Sequence, residues 1–225
     1  MNIESTNIDL AQNPSFCQTA VMGSSGLLTT NLIRMKKYDI IYADPAWQYK
    51  ESWGNGQTGY KTMSTDDICK LPIKNITDDK AHLYLWVTNP FLADGLRVCK
   101  EWGFEYKTLL TWHKLYSSGK PEMGMGYYFR GCTEHIIFGV KGGMKCLTKT
   151  ERNCIEYPDD NFIAEINPKQ HSRKPDLFRQ KIVTDWSGDL PRIELFARSQ
   201  KDLFDKEIFK GWDVWGNEVD SSVAL

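Results

Sequence analysis

The chain has 225 residues, 41% hydrophobic and 25% charged, with 28 Lys and Arg set against 29 Asp and Glu. That length buries a substantial core in one large domain, and no apolar run approaches the roughly 20 residues that span a bilayer, so the composition points to a soluble protein and away from a membrane span. The near-zero net charge also excludes the global basic excess of a sequence-independent nucleic-acid binder; any such binding has to be local.

The amino-terminal MNIESTNIDLAQ has neither the basic start nor the apolar centre of a secretion signal. This predicts an intracellular chain, cytoplasmic in a bacterial or phage-host cell and nuclear in a eukaryote. Cys17, Cys69, Cys99, Cys132, Cys146 and Cys154 form no C-x-x-C pair and read as free or buried thiols. His82, His113, His135 and His171 fall in separate segments without ligand spacing, so no metal is expected.

In chain order, residues 1–36 are polar and weakly periodic, which predicts a partly ordered arm; the main domain covers 37–225. DIIYA (39–43) reads as the first buried strand. A Gly- and aromatic-rich connection, QYKESWGNGQTGYK (48–61), leads to an N-cap at Ser64 or Thr65 before DDICKL. HLYLWVT (82–88) is the next strand, and Asn89-Pro90 opens the helix FLADGLRVCKEWG, which closes on Gly103. Strands YKTLLTW (106–112) and EHIIFGV (134–140) flank a second long connection, HKLYSSGKPEMGMGYYFRG (113–131). NFIAEI (161–166) reads as a strand, Lys174-Pro175 opens the helix DLFRQKIVTDWSG ending at Gly188, and RIELFA (192–197) and WDVWG (212–216) complete the set.

Strands alternating with helices predict an α/β fold with a mostly parallel central sheet and helices on both faces, where ligands gather beyond the carboxyl ends of strands. Connections as long as 48–61 and 113–131 are either functional lids or bland surface loops. Between Lys169 and Lys181 five cations face one acid, Asp176. A solvated helix face explains that cluster as well as a phosphate site does.

Asp44 follows the first buried strand directly, so its carboxylate is partly desolvated and needs partners, from the protein or from a ligand. Pro45 contributes a carbonyl without an N–H and stiffens the turn, and Trp47 adds a broad π-face. The set suits a planar ring bearing an amino group, whose two N–H bonds point at Asp44 and the Pro45 carbonyl. A strand-ending turn with a core Trp is the competing reading.

The segment from about Tyr38 to Glu218 resembles the MT-A seventy family of adenine-N(6) methyltransferases, which includes the catalytic subunit of the messenger-RNA adenosine methyltransferase and compact bacterial and phage enzymes. The resemblance runs in order through DPAW (44–47), YKTMSTDDICKL (60–71), LYLWVTNP (83–90), TEHIIFGVKG (133–142), SRKPDLF (172–178), RIELFAR (192–198) and WDVWGNE (212–218). It implies a Rossmann-like methyltransferase fold and methyl transfer from S-adenosylmethionine to the exocyclic amine of adenine. DNA is the favoured polymer, because the RNA-directed relatives carry zinc fingers or long disordered additions; RNA adenosine and a non-catalytic nucleic-acid-binding subunit are the alternatives. Near-neutral charge leaves a partner subunit or a second copy to supply further phosphate contacts.

By this resemblance Asp44, Pro45 and Trp47 form the catalytic turn. An amine conjugated to a purine is a poor nucleophile, and acceptance of both its hydrogens favours a pyramidal nitrogen and stabilises the positive charge developing on it. Alignment of the reacting atoms can supply roughly 7–11 kcal/mol more. Ala46 departs from the family's usual Asp-Pro-Pro-Trp. Tyr60 matches the aromatic that stacks on the target base, forming a sandwich with Trp47, and Lys114 in the second connection is assigned to the substrate.

On the cofactor side, Lys174 matches the lysine that meets the methionine carboxylate, while Asp44 also faces the methionine ammonium. Arg198, Gln200 and Lys201 fall near the ribose, and Asn217 and Glu218 contact ribose or adenine edges. A cofactor without phosphates requires no phosphate-cradling glycine motif. His135 reads as structural, and Trp86, Trp102, Phe138 and Phe196 as core.

Overall fold

Period-two alternation in the sequence becomes the two faces of one sheet in the computed structural model, which describes residues 16–22, 28–34, 36–49, 61–124, 126, 128–158, 173–198 and 210–225. The strand expected at 161–166 lies outside the described residues. The chain divides into two contact units, Met1–Lys37 and Tyr38–Leu225. In the first, β1 (Phe16–Met22) and β2 (Leu28–Arg34) pair antiparallel, with Phe16 opposite Arg34 and Met22 opposite Leu28. The sequence reading assigned no element there.

The second unit contains β3 (Tyr38–Ala43), the short helices α1 (Thr65–Lys70) and α2 (Ile73–Ile76), β4 (Thr77–Val87), α3 (Leu92–Glu101), β5 (Glu105–Leu115), β6 (Thr133–Lys141) and β7 (Cys154–Pro158). It ends with α4 (Asp176–Lys181), continued by a wider π turn at Ile182–Trp186, then β8 (Arg192–Leu195) and β9 (Asp213–Trp215). The seven strands lie in the order β7-β5-β6-β4-β3-β8-β9, and only β6 runs antiparallel to its neighbours. The mostly parallel α/β sheet expected from the sequence is therefore present.

Helices cover both faces. On one, Ile40, Tyr42, Tyr84, Trp86, Ile136 and Phe138 pack with Phe178, Ile182 and Trp186 of α4 and its π turn. The intervening residues Ile41, Leu83, Leu85 and Ile137 are equally buried and point the other way, toward α3. There α3 lies so close that a Cβ on Gly95 would sit 2.4 Å from a Val87 methyl, so only glycine fits. α1 is fixed at its start by Ser64, whose hydroxyl accepts the Asp67 N–H (3.2 Å), and at its far side by the Trp102 indole N–H on the Ile68 carbonyl (2.9 Å). Trp86, Trp102 and Phe138 are core residues, as expected. Among the described residues no helix is long and apolar enough to cross a membrane.

Among the described residues, an ion pair and a histidine network are buried in this core. Glu194 of β8 and Arg179 of α4 form a two-pronged ion pair, Nε to Oε2 at 2.5 Å and Nη2 to Oε1 at 2.6 Å. His82 of β4 is fully buried, its Nε2 on the Met144 carbonyl (3.2 Å) and its Nδ1 on Ser187 Oγ (2.7 Å). A carbonyl only accepts, so the ring proton sits on Nε2. Ser187 then donates to Nδ1 and accepts from the Tyr84 hydroxyl (2.8 Å).

Burial lowers the His82 pKa below its usual value, outweighing the Met144 contact. The unfolded chain therefore takes up a proton that the fold refuses, and this part of the stability, full above about pH 6.5, is lost as pH falls. Thermal melts between about pH 7.5 and 5.5 should fall more steeply for the wild type than for His82→Gln. Parallel slopes would remove the argument.

Candidate active site

Four parallel strands, β3, β4, β8 and β9, end on one edge of the sheet, and the turn after β3 lies among them. Asp44 donates its backbone N–H to the Leu195 carbonyl (3.4 Å). The Pro45 carbonyl accepts the Trp47 N–H (2.9 Å), closing a tight turn, and the Ala46 carbonyl accepts the Met63 N–H (2.9 Å). That contact and the bridge between Trp47 and Met63 tie the turn to the segment just before α1.

Trp47 is packed into the fold. Its indole N–H donates to the Trp86 carbonyl (3.2 Å), and its ring stacks on Phe91 at 5.4 Å and 17°. With 6% of its surface exposed, it helps to hold the turn. Phe91 belongs to the 3-10 turn Asn89–Phe91 after β4. That turn is in turn held by His135, whose Nε2 meets Asn89 Oδ1 at 2.8 Å while its Nδ1 meets Thr111 Oγ1 at 3.1 Å. Both ring nitrogens are occupied by the protein, in keeping with a structural role.

The Asp44 carboxylate faces a chain of alternating charges. Lys174 Nζ lies 3.3 Å from Asp44 Oδ2 and 3.1 Å from Glu134 Oε2, and Lys114 Nζ lies 2.6 Å from Glu134 Oε1. Lys174 also sits over the Trp86 ring at 5.3 Å. Burial alone would discharge Lys174, but Asp44 and Glu134 more than offset it and raise its pKa above the ordinary lysine value. Glu134 likewise resists burial, and Lys174 and Lys114 hold its carboxyl down at about 2. Glu134 and Lys174 thus keep their charges where single buried charges would not. The sequence reading paired neither Lys174 nor Lys114 with Glu134, a carboxylate at the head of an apolar strand.

The cations clustered after residue 169 are engaged in the same way. Arg173 pairs with Asp176 (2.5 Å), Arg179 with Glu194 and Asp176, and Lys181 with Glu151 and Asp185. Lys169 lies outside the described residues. The four described cations, Lys174 among them, face protein carboxylates.

Beside the turn is a cavity of about 370 Å³, within the usual range for a small-molecule site. Arg198, Asn217 and Glu218 line it, together with Gln48, Ser64 and Asp67. Phe196 and Trp215 form its aromatic wall, their rings meeting edge to face at 5.5 Å. Phe196 is not core, contrary to expectation. Its φ of 62° turns the chain sharply after β8 and swings the ring to the cavity, a conformation that costs a non-glycine residue about 1–3 kcal/mol. Gln200, Lys201 and Tyr60 lie outside the described residues. Among those described, no group of His, Cys, Asp and Glu is placed to hold a metal ion.

A family model described as MT-A70 matches residues 38–218, the whole of the sheet and its site. The chain belongs to the MT-A70 family. One similar protein is the type II methyltransferase M.MunI of a Mycoplasma species, 30% identical over 82% of this chain and 78% of its own length. The human N(6)-adenine-specific methyltransferase METTL4 is 29% identical over 82% of this chain, but only 38% of its own length is matched. The non-catalytic subunit MTB of the Arabidopsis thaliana N6-adenosine methyltransferase is 28% identical over 59% of this chain and 18% of its own length. The adenine-N6 methyltransferase family thus supplies the chemistry against which the MT-A70 turn and cavity are to be tested.

Proposed function

We propose that the chain transfers a methyl group from S-adenosylmethionine to the N6 amine of adenine in DNA. The observation that carries this reading is the Asp44 carboxylate, 24% exposed in its side chain, held by Lys174 beside the Pro45 carbonyl. Each oxygen group can take one N–H. The Pro45 carbonyl spends one lone pair on Trp47 and keeps a second.

The cavity suits the cofactor. Glu218, Asn217, Asp67 and Gln48 offer acceptors for ribose hydroxyls, and Phe196 and Trp215 offer an apolar wall for a flat ring. Bound there, S-adenosylmethionine would supply a methyl carbon made electrophilic by its sulfonium sulfur. Asp44 and Pro45 then orient the amine and stabilise its developing charge, and the hydrogen-bonded turn keeps them in place. Lys174 and Glu134 fix the Asp44 carboxylate.

DNA is favoured because M.MunI is matched over 78% of its length, whereas the RNA methyltransferase MTA1 of Pyricularia oryzae is matched over 47%. Incubating the protein with labelled S-adenosylmethionine and matched DNA and RNA oligonucleotides, then identifying the nucleosides, tests the reading. N6-methyl-deoxyadenosine is the expected product. Label in RNA alone would overturn the choice of polymer, and no label with no cofactor binding in calorimetry would assign the chain to the non-catalytic members.

A further inference from the structure

We propose that the connection between β5 and β6 is a base-stacking arm that grips nucleotides next to the target adenine. This rests on the reading that the chain acts on a nucleic acid, and it names a surface which that reading leaves unassigned.

The arm is built rather than slack. At its root the Lys114 N–H donates to the Cys132 carbonyl (2.8 Å) and the Glu122 N–H to the Lys114 carbonyl (2.9 Å). Leu115 bridges Pro121, and the Met123 N–H meets the Tyr116 hydroxyl (3.1 Å). Further out, the Gly124 N–H meets the Gly131 carbonyl (2.8 Å). A Cβ on Gly126 would lie 1.9 Å from the Phe129 carbonyl oxygen, so the fold of the tip requires glycine there.

This geometry displays two consecutive aromatic residues, Tyr128 at 95% and Phe129 at 89% exposure. Leaving such side chains in water forgoes the free energy of burying them, which argues for an occupant. Arg130, next in sequence and hydrogen-bonded to the Gly126 carbonyl (3.5 Å), and Lys120 are also exposed, and exposed cations on the same connection as exposed rings match a polyanion carrying flat bases better than an apolar protein patch. Position agrees: Lys114 at the root joins Glu134, Lys174 and Asp44 in the ion-pair chain. A strand with its adenine at Asp44 would run past the arm, and a flipped adenine leaves neighbouring bases unstacked.

The test uses the full chain and whichever oligonucleotide the wild type methylates. The double variant Tyr128→Ala, Phe129→Ala should bind it about 10-fold or more weakly, since a stacked base is worth roughly 1–3 kcal/mol. KM for the oligonucleotide should rise with kcat and S-adenosylmethionine binding unchanged. Tyr128→Phe with Phe129→Tyr should restore affinity, and 2-aminopurine beside the target should lose its quenching only in the alanine variant. Unchanged affinity and KM in an active protein would overturn the arm alone, as would a change in oligomeric mass, which would assign the surface to a protein partner. A wild type that binds no oligonucleotide overturns both the arm and the proposed function.

Discussion

Asp44→Asn should lower kcat for methyl transfer by about 10²–10³-fold, the loss typical of removing one preorganised electrostatic partner of a transition state, and Asp44→Ala should abolish it. The amide keeps the shape of the carboxylate but removes its charge and turns one acceptor into a donor aimed at the incoming amine. Little else should change. Lys174 keeps Glu134 at 3.1 Å, so its charge stays partnered, and the backbone bonds of Pro45 and Ala46 to Trp47 and Met63 involve no Asp44 side-chain atom. Thermal melting should therefore stay near the wild-type value while turnover collapses. Turnover within a few-fold of wild type would remove Asp44 from the chemistry. Parallel loss of the melting transition would instead make it a structural carboxylate.

The central elements were legible because burial on a sheet writes itself as local alternation. β3, β4, β5, β6, β8 and β9 each lie on a predicted run, with ends shifted by a few residues. β7 escaped because its five residues bury only Ile155 fully and end in Pro158, too little apolar pattern to stand out from a loop. β1 and β2 escaped because FCQTAVM and LTTNLIR mix apolar and polar residues without a sustained period.

The site divides in the same way. Asp44-Pro45 is a local signal, a charge and a rigid carbonyl where a buried strand stops. The partnership of Lys174 with Asp44 and Glu134 joins residues 130 and 40 positions apart in the chain, and nothing local specifies it. RIELFA reads as unbroken strand, so the left-handed turn at Phe196 and the cavity wall it creates appear only in three dimensions. Trp47 is a further case: a large aromatic after an acid is a local signal, but its stacking on Phe91 is not.

Removing Arg179 should have the largest effect on stability. Its guanidinium and the Glu194 carboxylate keep 7% and 6% side-chain exposure, and it also lies over the Tyr42 ring at 5.5 Å. Arg179→Met leaves a buried carboxylate without its counter-charge, a change worth roughly 3–5 kcal/mol, or about 6–20 °C in Tm for a chain of this size. Asp176 loses less, being half exposed and still paired with Arg173 at 2.5 Å. Burial already raises the Glu194 pKa despite the guanidinium, and without Arg179 the rise should grow. A folded-state pKa above the unfolded value means stability present at low pH and lost as pH climbs, so the deficit should be smaller near about pH 5 than near about pH 8. Adding Glu194→Leu to Arg179→Met should recover much of the loss, because a packed apolar pair is often as stable as a buried ion pair. If the double variant melts no higher than the single one, packing of the arginine stem against Tyr42, and not the orphaned charge, dominates the site.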